Sequence, residues 1–74
     1  MSIGEKMKEY RKERGISQSE LRKEIGCWQQ QIARWEQGIN KPNIRNLIKI
    51  ARAMGMGIDE LMEGEEDGQG LKTG

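Results

Sequence analysis

Ile16-Ser17-Gln18-Ser19-Glu20-Leu21-Arg22-Lys23-Glu24-Ile25-Gly26-Cys27-Trp28-Gln29-Gln30-Gln31-Ile32-Ala33-Arg34-Trp35-Glu36-Gln37-Gly38 is the stretch that decides the fold. Ser17 and Glu20 have the form of a capping box, in which a hydroxyl accepts the amide three residues on while the carboxylate reaches back. Leu21 and Ile25 then make a short apolar face, and Gly26 ends this helix. After two residues, Gln29–Gln37 reads as a second short helix, with Ile32 and Trp35 facing inward and Gly38 closing it. The pattern is two short helices joined by a glycine-bearing turn.

The same signals extend outward. Towards the N-terminus, Ser2 and Glu5 form another capping box; Ile3, Met7 and Tyr10 give one apolar stripe, and Gly15 stops the helix. Towards the C-terminus, Gly38-Ile39-Asn40-Lys41-Pro42 is a loop, because Pro42 forbids a helix through it. Asn43 caps a fourth helix, in which Ile44, Leu47, Ile48, Ala51 and Met54 follow the helical period to Gly55. A last short helix is expected from near Ile58 through Leu61 and Met62. The expected architecture is all-α, five helices in one domain over residues 1–63, followed by a Gly-rich acidic tail at 64–74 that reads as disordered.

Composition narrows the function. The 74 residues include no His and one Cys, which excludes a His/Cys zinc site, a His acid–base pair and an internal disulfide. No enzyme activity, metal or cofactor is expected from that inventory. Mean hydropathy is −0.90 with no apolar run near 18 residues, so no membrane span is expected. The charged first fifteen residues do not read as a secretory signal, and a lone thiol suits a reducing cytoplasm. The net charge of +1 conceals a division: residues 1–56 carry +6 and residues 57–74 carry −5. A basic body favours a polyanionic partner, of which DNA is the commonest.

The run Ile16-Ser17-Gln18-Ser19-Glu20-Leu21, then Gly26, then Ile32-Ala33-Arg34-Trp35-Glu36-Gln37-Gly38 and Pro42 resembles the Cro/repressor-type (XRE-type) helix-turn-helix family, in particular the lambdoid phage repressors. The likeness continues through Leu47, Ala51 and Met54 to Asp59-Glu60-Leu61, covering residues 3–62. It implies a repressor-like DNA-binding domain whose second and third helices form the helix-turn-helix, the latter entering the major groove. The function implied is a sequence-specific transcriptional regulator, a repressor, in the cytoplasm of a prokaryote or of a phage-infected cell.

Within that resemblance, Gln29 and Gln30 match the base-contacting positions. Their amides carry a donor and an acceptor and can pair bidentately with adenine N6 and N7. Arg34, one turn after Gln30, extends the same face toward a base. Gln18 resembles the residue that donates to a phosphate. Trp28, Gln31, Asn40, Lys41, Asn43 and Arg45 are the further expected backbone contacts, with a sugar or a thymine methyl as the target of Trp28. Arg11 and Glu36 match a structural ion pair that joins the first helix to the third.

Three departures from the family stand out. Arg22 occupies a place usually given to a small residue, and must turn outward or splay the helices. Trp28 replaces the usual Ser or Thr cap of the third helix, and Gly57 replaces a good cap before the fifth. One module reads few base pairs, so a homodimer on a pseudo-palindromic operator is expected, joined through Ile58, Leu61 and Met62 with neighbours from the fourth helix. The alternatives are the antitoxin of a toxin–antitoxin pair and a protein-interaction module of the same fold without DNA. The second would need an apolar anchor that a glutamine-rich helix does not supply.

Overall fold

A computed structural model describes residues 1–64, so the expected disorder of the acidic tail falls outside the described residues from 65 onward. Five helices appear among the described residues, and no strand: α1 (Ile3–Arg14), α2 (Gln18–Ile25), α3 (Gln29–Gln37), α4 (Ile44–Met54) and α5 (Ile58–Met62). No helix is long and apolar enough to cross a membrane.

The caps are those the sequence predicts. Ser2 and Ser17 each accept the amide three residues on at 3.1 Å, while Glu5 and Glu20 return the bond to the cap amide at 2.8 Å. Asn43 Oδ1 accepts from the Asn46 amide at 2.9 Å. The turn between α2 and α3 needs a left-handed residue, and Gly26 supplies it at φ 86°.

Ile3, Met7, Leu21, Ile25, Ile32, Trp35, Leu47, Ile50, Ala51 and Leu61 form one buried cluster at the centre. Around it α1 packs on α3 and α5, α2 on α3 and α4, and α4 on α5. Gly4 sets the α1–α3 approach: a Cβ there would lie 3.0 Å from Glu36 Cα and closer still to the Trp35 carbonyl oxygen. The two backbones touch, and no side chain fits between them.

The phase of α4 differs from the expected one. Ile44 and Ile48 are 63% and 43% exposed, whereas Ile50 is fully buried beside Leu47 and Ala51. Apolar residues at 44, 47, 48, 50, 51 and 54 span more than one helical face, and the contacts with α2 and α5 select which part is covered.

At the far side of the molecule, the Lys6 ammonium donates to the carbonyls of Glu60 (2.5 Å), Leu61 (3.0 Å) and Glu63 (2.6 Å). A cation there satisfies the carbonyls that every helix leaves open at its C-terminus. The fifth helix keeps an N-terminal bond as well, because Glu60 Oε1 accepts the Gly57 amide at 3.0 Å. Met1 lies against Gly64, within about 3 Å of where a Cβ on Gly64 would stand. The Tyr10 hydroxyl lies 3.1 Å from the Ala53 carbonyl and 3.2 Å from Glu24 Oε1, tying α1 to α4 and α2.

Candidate nucleic-acid interface

The last turn of α3 is fastened by two residues, Arg11 of α1 and Gln18 of α2. Glu36, with a side chain only 2% exposed, is held by Arg11 through Nε–Oε2 at 2.7 Å and Nη2–Oε1 at 2.9 Å. This two-point fork is the stronger form of a guanidinium–carboxylate pair. Its hydrogen bond raises the Arg11 pKa further above its ordinary value. Arg11 Nη1 also donates to the Ile16 carbonyl at 3.3 Å, ahead of α2. Arg11 and Glu36 thus meet as the sequence predicts, and Gln18 joins them.

Gln18 Nε2 donates to Glu36 Oε1 at 3.0 Å, an internal partner where a phosphate had been expected. An amide has two hydrogens, so one remains beyond that bond. The shared carboxylate ties the first residue of α2 to the last turn of α3.

The turn itself is braced by Arg22. Rather than splaying the helices, its guanidinium folds back and donates from Nη1 to the Cys27 carbonyl at 3.3 Å. Burial pushes the Cys27 thiol above its usual pKa, so it remains a neutral thiol. Trp28 supplies no side-chain acceptor to α3, and only the reciprocal half of a capping box remains: Gln31 Oε1 accepts the Trp28 amide at 3.0 Å. That bond commits the Gln31 carbonyl to the fold and leaves its amino group as the part able to reach a backbone phosphate.

On the outer side of α3, from its first residue to its last turn, the surroundings change. Gln29, Gln30 and Arg34 are exposed, and Trp28 is 73% exposed. Gln30 and Arg34 are four residues apart on one face, and Gln37, also exposed, continues that stripe three residues on. Sequence reading passed over Gln37, although its spacing from Arg34 signalled it. Asn40, Lys41, Asn43 and Arg45 are exposed on the following loop and the start of α4, with the Asn43 carbonyl already engaged as a cap.

The charge on this side is one-signed. From Ile25 to Ile58 the chain carries Arg34, Lys41, Arg45, Lys49 and Arg52 against a single acid, Glu36. That acid is buried under Arg11, so no carboxylate of α3 faces solvent.

Of the three residues expected to form an α5 dimer face, one is withdrawn into the core. Leu61 is fully buried, while Ile58 and Met62 are half-buried against the core. A helix this short, pressed on both α4 and α1, spends its apolar side internally. The largest apolar side chains left open besides Trp28 and Met1 are Ile39, Ile44 and Ile48.

Comparison with known proteins agrees with this geometry. The chain is 32% identical over 66 residues to the HTH-type transcriptional activator BcrR of Enterococcus faecalis, a match covering 89% of this chain and 32% of that protein. It is 36% identical over 63 residues to an uncharacterized HTH-type transcriptional regulator of Methanothermobacter thermautotrophicus, covering 84% of this chain and 91% of the relative. Among solved structures, the P22 c2 repressor in complex with a synthetic operator superposes with a TM-score of 0.78 at 31% identity, over 88% of this chain and 98% of that one. The chain spans between about a third and about half of the length of the first three curated relatives it matches. The sequence model of the family matches residues 7–61, from within α1 to within α5, and the chain belongs to the helix-turn-helix family.

Proposed function

We propose that this chain is the sequence-specific DNA-binding module of a cytoplasmic transcriptional regulator, a repressor that acts by occupying its operator. It is a binding protein and not a catalyst. The observation that carries this reading is the contrast between the two sides of α3: the inner side held through Glu36 by Arg11 and Gln18, the outer side presenting Gln29, Gln30 and Arg34 to solvent with no exposed acid on the helix. A helix so presented can lie in a major groove without repelling phosphate. Gln29 and Gln30 read base edges and Arg34 extends their reach, while Lys41, Arg45, Asn40, Asn43, the free hydrogen of Gln18 and the amino group of Gln31 hold the phosphates. The P22 c2 repressor, named as a complex with operator DNA, supports the same reading.

Two copies bind a pseudo-palindromic operator, with half-site centres about 10 bp apart. Ile44 and Ile48, exposed and four residues apart, form the ridge on which the copies meet. So small an apolar ridge falls far short of the roughly 800 Å² per partner of a standard interface. Pairing is therefore weak in solution and completed on DNA.

Selection from random double-stranded DNA, followed by salt titration of the winning site, tests the proposal. The expected result is a short site with dyad symmetry whose affinity falls steeply with salt. A chain that enriches no sequence and binds all duplexes alike overturns it.

A further inference from the structure

Trp28 is the least explained side chain on the molecule. An indole is a large apolar group that folding normally covers, yet this one is 73% exposed, while Trp35, seven residues on, is 5% exposed. Its side chain makes no capping bond to α3. The position's structural work is done by its backbone, whose amide is taken by Gln31 Oε1 at 3.0 Å. Behind it, Arg22 fixes the turn through the Cys27 carbonyl, and Arg22, Gly26, Cys27 and Trp28 border one shallow depression. The backbone that carries the ring is therefore fixed, and the exposed ring stands immediately before Gln29. It is continuous with the polar face assigned to base edges.

We propose that Trp28 is a specificity-determining residue that covers the 5-methyl group of a thymine at the edge of each half-site. The inference rests on the DNA-binding reading. In the major groove the thymine methyl is the one apolar mark on a base edge, and side chains read it by apolar contact. An indole has no acceptor and one donor, so it cannot duplicate the paired hydrogen bonding of the neighbouring glutamines. What it adds is apolar area, and the thymine methyl is the groove feature that area can cover. A ring resting only on deoxyribose would strengthen every sequence alike; a ring on the methyl group distinguishes thymine from the other three bases.

The test uses the selected operator in two forms, with thymine or with deoxyuridine at each thymine position in turn, so that only a methyl group is removed. The wild-type chain should lose about fourfold in affinity at one position per half-site, the worth of one buried methyl. Trp28→Ser restores a hydroxyl acceptor to the helix start, so it folds, and it should bind the thymine and deoxyuridine forms equally. Acrylamide quenching gives a second readout: the exposed Trp28 emission should become shielded on the operator, and the buried Trp35 should not change. The proposal is overturned if the wild type is indifferent to methyl removal at every thymine. It is also overturned if Trp28→Ser keeps the same thymine preference, or weakens all duplexes equally without altering it. If Gln30→Ala still changes base preference in those cases, the DNA-binding reading stands and only the role of Trp28 falls.

Discussion

The two sides of α3 are built on opposite terms. On the inward side of its last turn, Glu36 is shared between Arg11 and Gln18 and Trp35 is pressed under Gly4, whereas Arg34 and Gln37 of the same turn are exposed. In its first turn Gln29, Gln30 and Trp28 face solvent, and Gln31 secures only the start of the helix. Nine residues thus hold both an anchor and a reading edge. The lesson is one of division of labour. Because rigidity is supplied on one side, the other is free to carry side chains chosen for what they recognise.

The comparison breaks most severely at the anchor. Glu36→Ala leaves the Arg11 guanidinium facing a vacated, largely buried site, and the expected loss is about 3–5 kcal/mol in a denaturant titration. A change within about 0.5 kcal/mol would mean that the two charges are uncoupled. Gly4→Ala attacks the same end by overpacking, since its Cβ would meet the backbone of Trp35 and Glu36 and no rotamer can relieve that. About 1–3 kcal/mol is expected, and a shifted α3 should weaken DNA binding in the same variant.

Substitution at the reading edge should have the reverse profile. Gln30→Ala is expected to cost about 1–3 kcal/mol in affinity for the best site and to relax selection at one base, with thermal stability unchanged. Lys41→Ala should weaken all sequences alike and lower the salt slope by about 1, as seen by titrating affinity against ionic strength. The smallest expected effect concerns the turn between the two ends. The Cys27 thiol is held above its usual pKa, so its neutral form favours the folded state below the unfolded pKa of about 8.5, and that contribution is lost as pH rises through the higher folded value. Stability should decline slightly above about pH 8.5, and Cys27→Ala should flatten that decline.

Much of the scaffold is legible in the chain because its signals are local. A serine three residues before a glutamate, and a glycine after each of the first four helices, act within one turn of backbone, and the structure realises them at Ser2, Ser17 and Gly26. The Arg11–Glu36 pair is reached only through resemblance, since nothing in spacing says that residues 25 apart will meet. Gln18 at Glu36 and Lys6 at the end of α5 are illegible for the same reason: long flexible side chains choose partners that the tertiary fold brings near. Leu61, expected on an α5 dimer face, is illegible on a different ground. Period alone cannot say whether Leu61 looks inward to its own core or outward to another copy, and in the fold it is fully buried.

Lys6 and Met1, described as part of the scaffold, have a topological consequence. Lys6 is bonded to carbonyls 54, 55 and 57 residues away, and Met1 lies beside Gly64. The path from residue 1 to residue 64 is thus a loop closed in space though open in covalent bonds. Joining its ends through a short linker and cutting the exposed turn around Gly55 would reorder the helices as α5, α1, α2, α3 and α4. Such a circular permutant keeps every contact of α3 while the order of synthesis changes, which separates what the neighbours of α3 contribute from what chain connectivity does.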